Sequence, residues 1–257
     1  MSKNHSPSLM RKIRRGLKEG RNPDDLFANA KSISDYYYRS LSFYLLAPHF
    51  SSKSKQYKQV INLANSDIDK VQQPWKRIEL IGSISKLLKS FSDSNIRNEL
   101  YSKILDRRGT SYERIGEWKK GEKDLLECLK ILPDQPYVLN YLAYTWIDNN
   151  TNIDKALGML KIANDLEPNN GYIIDSLGWA YYLRKNYNEA EKLLQKAVEL
   201  NPLDPIINDH YADTLWMLNK KIQANYFWNY VLSLDDVEEE TKKVINKKLV
   251  YGINNNL

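Results

Sequence analysis

Between Gly171 and Asp204, small and apolar residues fall at helical spacing along two short stretches. Leu177, Gly178 and Tyr181 mark the first, Tyr187, Ala190, Leu194 and Ala197 the second, and Pro202 closes the unit. Spacing of three and four residues predicts a pair of amphipathic helices. The pattern then returns. A shift of 34 residues gives Tyr211, Ala212, Leu215, Ala224, Trp228 and Val231. Upstream, Leu142, Ala143 and Trp146 stand 35 residues before their counterparts, whereas Ala156, Leu160, Ala163 and Pro168 stand 34 before theirs. The difference places a one-residue insertion in the turn 149–152. A fourth copy offers Gly109, Tyr112, Gly116, Leu125, Cys128 and Pro133, with Gly121 where the others have alanine. Self-similarity at this period predicts stacked helix pairs that bury their apolar faces only against one another.

Outside the repeat the texture stays helical. Asn22 before Pro23, Asp24 and Asp25 reads as a helix start. Further helices are expected over 34–47, stopped by Pro48, over 57–64, over 74–91, and from a cap at 92–94 toward Ile115. A last helix over 237–251 has Glu238, Glu239 and Glu240 in its first turn and Lys242, Lys243, Lys247 and Lys248 later, which suits a helix dipole. The expected organisation is a flexible basic arm (1–21), degenerate helical hairpins (22–101), four repeat units (102–135, 136–170, 171–204 and 205–236), a capping helix (237–252) and a disordered tail (253–257).

The repeat resembles the tetratricopeptide repeat, and the strings 171–179, 139–144 and 207–210 are similar to the C-terminal repeats of a bacterial family of such proteins. The resemblance implies an all-α, right-handed superhelical solenoid of antiparallel helix pairs. It also implies that a concave face is lined by positions 2, 5, 9 and 12 of each first helix. Position 2 gives Lys103, Tyr137, Tyr172 and Ile206, and position 5 gives Asp106, Asn140, Asp175 and Asp209. Position 9 gives Thr110, Tyr144, Trp179 and Asp213, and position 12 gives Glu113, Ile147, Tyr182 and Trp216. The expected peptide-binding groove is therefore Tyr137, Asn140, Tyr144, Tyr172, Asp175, Trp179, Tyr182, Asp209, Asp213 and Trp216.

Aromatic rings supply contact area at low entropic cost, while Asn and Asp can address a ligand's backbone amides. The lysines by which some relatives clamp an acidic C-terminus are missing at position 5, so the expected partner is a neutral or basic polypeptide.

Charge qualifies this picture. Residues 1–101 hold 18 Lys and Arg against 9 Asp and Glu, and residues 102–257 hold 20 against 23, so the net +6 belongs to the first half. The block 11–18 is its densest part. A basic half rich in tyrosine raises nucleic-acid binding as the alternative function. The acidic groove argues against it, because phosphate neutralisation carries most of such affinity.

Chemistry is not indicated. His5, His49 and His210 form no metal-ligand spacing, and Cys128 sits at a small-residue core position. No glycine-rich phosphate loop occurs, so neither enzyme activity nor a cofactor is expected. No apolar run approaches the roughly 18 to 20 residues of a membrane span. The start is polar and lacks a leader's apolar core, which points to the cytoplasm. Export signals are frequent in the bacterial family, which points to export or the periplasm for a longer chain.

Overall fold

The computed structural model describes residues 6–235 and 237–253, which are helical throughout apart from turns. The chain divides into two compact units between Pro133 and Asp134. The first of the four expected repeats therefore lies in the first unit and the other three in the second.

The first unit runs α1 (Ser6–Lys18), α2 (Pro23–Lys31), α3 (Tyr36–Leu46), α4 (Lys55–Lys70), α5 (Pro74–Leu87), α6 (Ser94–Glu113) and α7 (Trp118–Ile131). Helix starts follow the local chemistry. Asn22 accepts the Asp24 N–H at 2.9 Å, and Asp93 accepts those of Asn95 and Ile96. α4 continues past 64 to Lys70, because Asp67 and Ile68 in its last turns are buried. Asp67 is 1 % exposed and takes two 2.7 Å hydrogen bonds from the Arg39 guanidinium. α5 ends at Leu87 and gives way to a 3-10 turn over 88–90.

The expected flexible arm is instead a helix. α1 packs on α2 and α3, burying Ile13 completely, with Leu9, Met10 and Leu17 against the same core. These four apolar residues share one face at helical spacing, and the basic side chains project from the other.

The second unit runs α8 (Pro136–Asp148), α9 (Ile153–Leu166), α10 (Gly171–Leu183), α11 (Tyr187–Leu200), α12 (Pro205–Met217), α13 (Lys221–Ser233) and α14 (Glu239–Tyr251). Each first helix pairs with the helix after it, and α8, α10 and α12 also touch in succession. Glycine and alanine set the spacing: a Cβ placed on Gly178 would lie 2.7 Å from Leu194 Cγ. In the first unit a Cβ on Gly121 would lie 2.7 Å from the Gly109 carbonyl, so α6 and α7 touch backbone to backbone.

The turns inside the pairs repeat as well. Gly116, Asn150, Lys185 and Asn219 all have positive φ, and each precedes a residue whose N–H bonds back to the last helical turn. This is a Schellman closure. The insertion expected at 149–152 is absorbed by a second left-handed residue, Asn152 at φ 49°.

α14 begins at Glu239, after Val237 has entered the core. Ile253, expected in the tail, packs on that core; 254–257 and His5 lie outside the described residues. No described helix is long and apolar enough to cross a membrane.

Candidate polypeptide-binding face

The first helices of the second unit present the expected positions in order, but in two different states. At the α8 end the face is open. Tyr137, Tyr172 and Ile206 occupy position 2 of three successive first helices and are 64 %, 56 % and 55 % exposed. Beside them Asn140 is half-buried, and its Oδ1 is out of water with no hydrogen-bond partner among the described residues. A buried acceptor left unpaired costs roughly 1–3 kcal/mol. Tyr144 is also half-buried; burial first, and the Asp175 and Asp148 charges next, push its hydroxyl up to about 12.

Positions 5 and 9 of α10 and α12 are instead filled by the chain itself. Asp175 accepts from His210 Nδ1 at 3.0 and 3.2 Å. Trp179 is stacked between two rings, His210 at 4.0 Å and Tyr182 at 4.4 Å, tilted by only 13° and 8°. Burial disfavours a charged imidazole, but Asp175, helped by Asp209 and Asp213, outweighs it and raises His210 above its ordinary value. Adjacent Asp209 and His210 diverge on α12, and the partner of His210 comes from one repeat earlier, 35 residues away.

Asp209 and Asp213 share the ammonium of Lys248, on α14, at 2.7 to 2.9 Å. Trp228 Nε1–H donates to both carboxylates at 3.0 Å. Burial and the Asp209 charge together outweigh Lys248 and His210 and lift Asp213 to about 6. Trp216 packs beside Trp228 with ring centres 5.3 Å apart, and Gly252, left-handed at φ 70°, lies against its indole where any side chain would collide.

These geometries correct the expected groove. Asp209 and Asp213 do not face an open trough, because Lys248 on α14 binds both carboxylates. Asp175 is committed to His210, while Trp179 and Trp216 are structural rings with covered faces. Tyr137, Asn140, Tyr144 and Tyr172 remain as the accessible set, with Tyr182 half-buried between Trp179 and Tyr187.

Sequence reading missed the parts played by Lys248, His210 and Trp228. A signal existed for two of them. Asp213 to Lys248 and Asp175 to His210 are both separations of 35 residues, one repeat step, which brings residues together on successive first helices.

Among the described residues no group of three or more His, Cys, Asp and Glu is disposed to hold a metal ion. Cys128 is buried, with its Sγ 3.2 Å from the Ser102 hydroxyl.

Comparison with known proteins agrees with the repeat. Residues 172–204 match the tetratricopeptide repeat family. A TPR repeat-containing protein of Pseudomonas aeruginosa is 31 % identical over 99 residues, 38 % of this chain and 17 % of that protein. Anaphase-promoting complex subunit 3 of Dictyostelium discoideum is 25 % identical over 143 residues, 53 % of this chain and 14 % of its own length. The chain thus spans only a small part of both relatives.

Among solved structures, MamA (residue 41 to the end) from Desulfovibrio magneticus superposes with a TM-score of 0.55 at 16 % identity, covering 72 % of this chain and 96 % of that one. A thermophilic TPR protein of Thermus thermophilus gives 0.55 at 14 %, covering 72 % and 95 %. At such identities the likeness is one of fold. The helix pair that recurs every 34 to 35 residues therefore includes a tetratricopeptide repeat over 172–204, in a chain that shares the fold of solved TPR proteins.

Proposed function

We propose that this chain is a non-catalytic interaction module whose second unit binds a neutral or basic polypeptide segment along α8, α10 and α12. Tetratricopeptide-repeat proteins generally serve as protein–protein scaffolds, and one relative is by its name a subunit of a larger complex. The observation that carries the reading is the exposed row Tyr137, Tyr172 and Ile206 beside the unpaired Asn140 acceptor. Large side chains repeated in register along three helices suit side chains of an extended segment, and the half-buried Asn140 side chain lies beside them. The unit carries 12 Lys and Arg against 17 Asp and Glu, which favours neutral or basic ligands.

The test is affinity capture with the wild-type chain and a Tyr137→Ala, Asn140→Ala, Tyr172→Ala triple variant, identified by mass spectrometry. Circular dichroism checks folding, which should survive because all three residues are exposed or half-buried. A protein recovered by the wild type and lost from the folded variant supports the proposal. Equal recovery by both overturns it.

A further inference from the structure

We propose a second binding site, in the first unit: the solvent face of α1 binds the phosphate backbone of a nucleic-acid duplex. Arg11, Arg14, Arg15 and Lys18 stand at i, i+3, i+4 and i+7, so their side chains share one face of the helix. All four are exposed, and Lys12 is exposed at the edge of the stripe. Ile13 and Gly16 are buried on the opposite side, where α1 packs on the core. The unit as a whole is basic, with 26 Lys and Arg against 15 Asp and Glu, whereas the acidic groove belongs to the other unit.

The charge of this face is not cancelled. Glu19 is the one acid between Ser6 and Asn22, and it pairs with Arg15 at 2.8 Å and with Arg21 at 2.9 Å. Among the described residues Arg11, Arg14 and Lys18 make no ion pair. The next acids along the chain, Asp24 and Asp25, lie in the first turn of α2; with them counted, residues 6–31 still hold 7 Lys and Arg against 3 Asp and Glu. Like charges three and four residues apart repel and weaken a helix. The packing of α1 does not require them, since its other face holds it.

The surroundings of the stripe select the occupant. A protein partner wants an apolar centre to its interface, and neither α1 nor α2 exposes a large apolar side chain. A bilayer wants an apolar helix face, and Leu9, Met10, Ile13 and Leu17 put theirs against the core. A single strand is held by bases stacked on aromatic rings, and Phe27, the one ring in α1 and α2, is buried. A duplex backbone asks only for cations in a row. From Arg11 to Lys18 the stripe is about 10 Å long, at roughly 1.5 Å per residue. Over that length one strand presents about three phosphates, roughly 3.4 Å apart along the axis, which matches the three unpaired cations.

The experiment is fluorescence anisotropy on the full chain with a labelled DNA duplex of mixed sequence, in potassium chloride from about 50 to 200 mM. Each phosphate contact contributes about −0.9 to the slope of log affinity against log salt, so three give about −2.7, roughly a fortyfold loss over that range. An Arg11→Gln, Arg14→Gln, Lys18→Gln variant should bind more weakly and flatten the slope by about 2.7. A Lys53→Gln, Lys55→Gln, Lys58→Gln variant removes the same charge from exposed lysines around the start of α4, and should keep the wild-type slope to within about one contact. Both variants alter exposed side chains, and circular dichroism verifies their fold. No binding of the duplex in the lowest salt, an unaltered slope in the α1 variant, or equal flattening in both variants would overturn the proposal. So would tighter binding of an oligothymidylate, of polyglutamate or of phosphatidylserine vesicles than of the duplex.

Discussion

Replacing Lys248 by methionine tests whether α14 is held by the charge it buries. Lys248 is the ammonium shared by Asp209 and Asp213, and all three side chains are less than a fifth exposed. Methionine keeps the apolar stem and removes the charge, leaving two carboxylates on the Trp228 N–H facing each other. Removing one partner of a buried ion pair costs about 3–5 kcal/mol, and that is the loss expected at pH 8.

The loss should depend on pH in a definite direction. Asp213 is already lifted to about 6 in the folded chain, against an ordinary 3.8. Without Lys248 its folded value rises further, while the unfolded value stays put. A folded value above the unfolded one contributes stability that is fully present below about pH 4 and is lost as pH rises through the folded value. Each unit of that shift is worth about 1.4 kcal/mol. Lys248→Met should therefore be much closer to wild type at pH 5 than at pH 8. Adding Asp209→Asn, which removes the second negative charge, should restore part of the loss. Urea titrations followed by tryptophan fluorescence at both pH values measure this, since Trp216 and Trp228 lie at the site. A loss below about 1 kcal/mol at pH 8, or the same loss at pH 5 and pH 8, would refute the reasoning.

Three further outcomes follow from named contacts. Gly178→Ala gains about 1 kcal/mol of helix propensity but forces a methyl to within 2.7 Å of Leu194, so a net destabilisation of about 1–2 kcal/mol in urea is expected, and a more stable variant would contradict it. The His210 ring, titrated by NMR, should show a midpoint above 6.5. The stability given by its Asp175 pair is then fully present below pH 6.5 and is lost as pH rises through that midpoint; a midpoint at or below 6.5 would refute the pairing. Arg39→Met strands the buried Asp67 carboxylate and should lower stability by about 3 kcal/mol or more near neutral pH, against no measurable change if Asp67 finds another partner.

Much of the fold could be read from the sequence because close approach leaves a mark there. Gly178 over Leu194 and Gly109 against Gly121 needed small residues, and their recurrence every 34 to 35 residues exposed the helix pairs. Even the extra residue at 149–152 was visible, since positions before and after the turn keep different steps. α1 was less legible: its basic block concealed the apolar face that Leu9, Met10, Ile13 and Leu17 put against the core.

The candidate face was legible as a set of positions but not as a set of partners. Position 5 and position 9 name side chains on one helix. What those side chains do depends on the next helix, where His210 meets Asp175 and Lys248 meets Asp213. Such pairs carry no local signal, only a separation of one repeat step. Gly252 reads simply as a helix stop, yet it also marks where the chain closes over Trp216.

The most direct test of a polypeptide-binding face is photo-crosslinking from within it. A benzoyl-phenylalanine at position 172, on the exposed row, is compared with one at Lys192, an exposed side chain on α11. The account predicts protein adducts from 172 that disappear when Asn140→Ala and Tyr137→Ala are added, and none from 192. Equal adducts from both positions, or adducts from 192 alone, would contradict it.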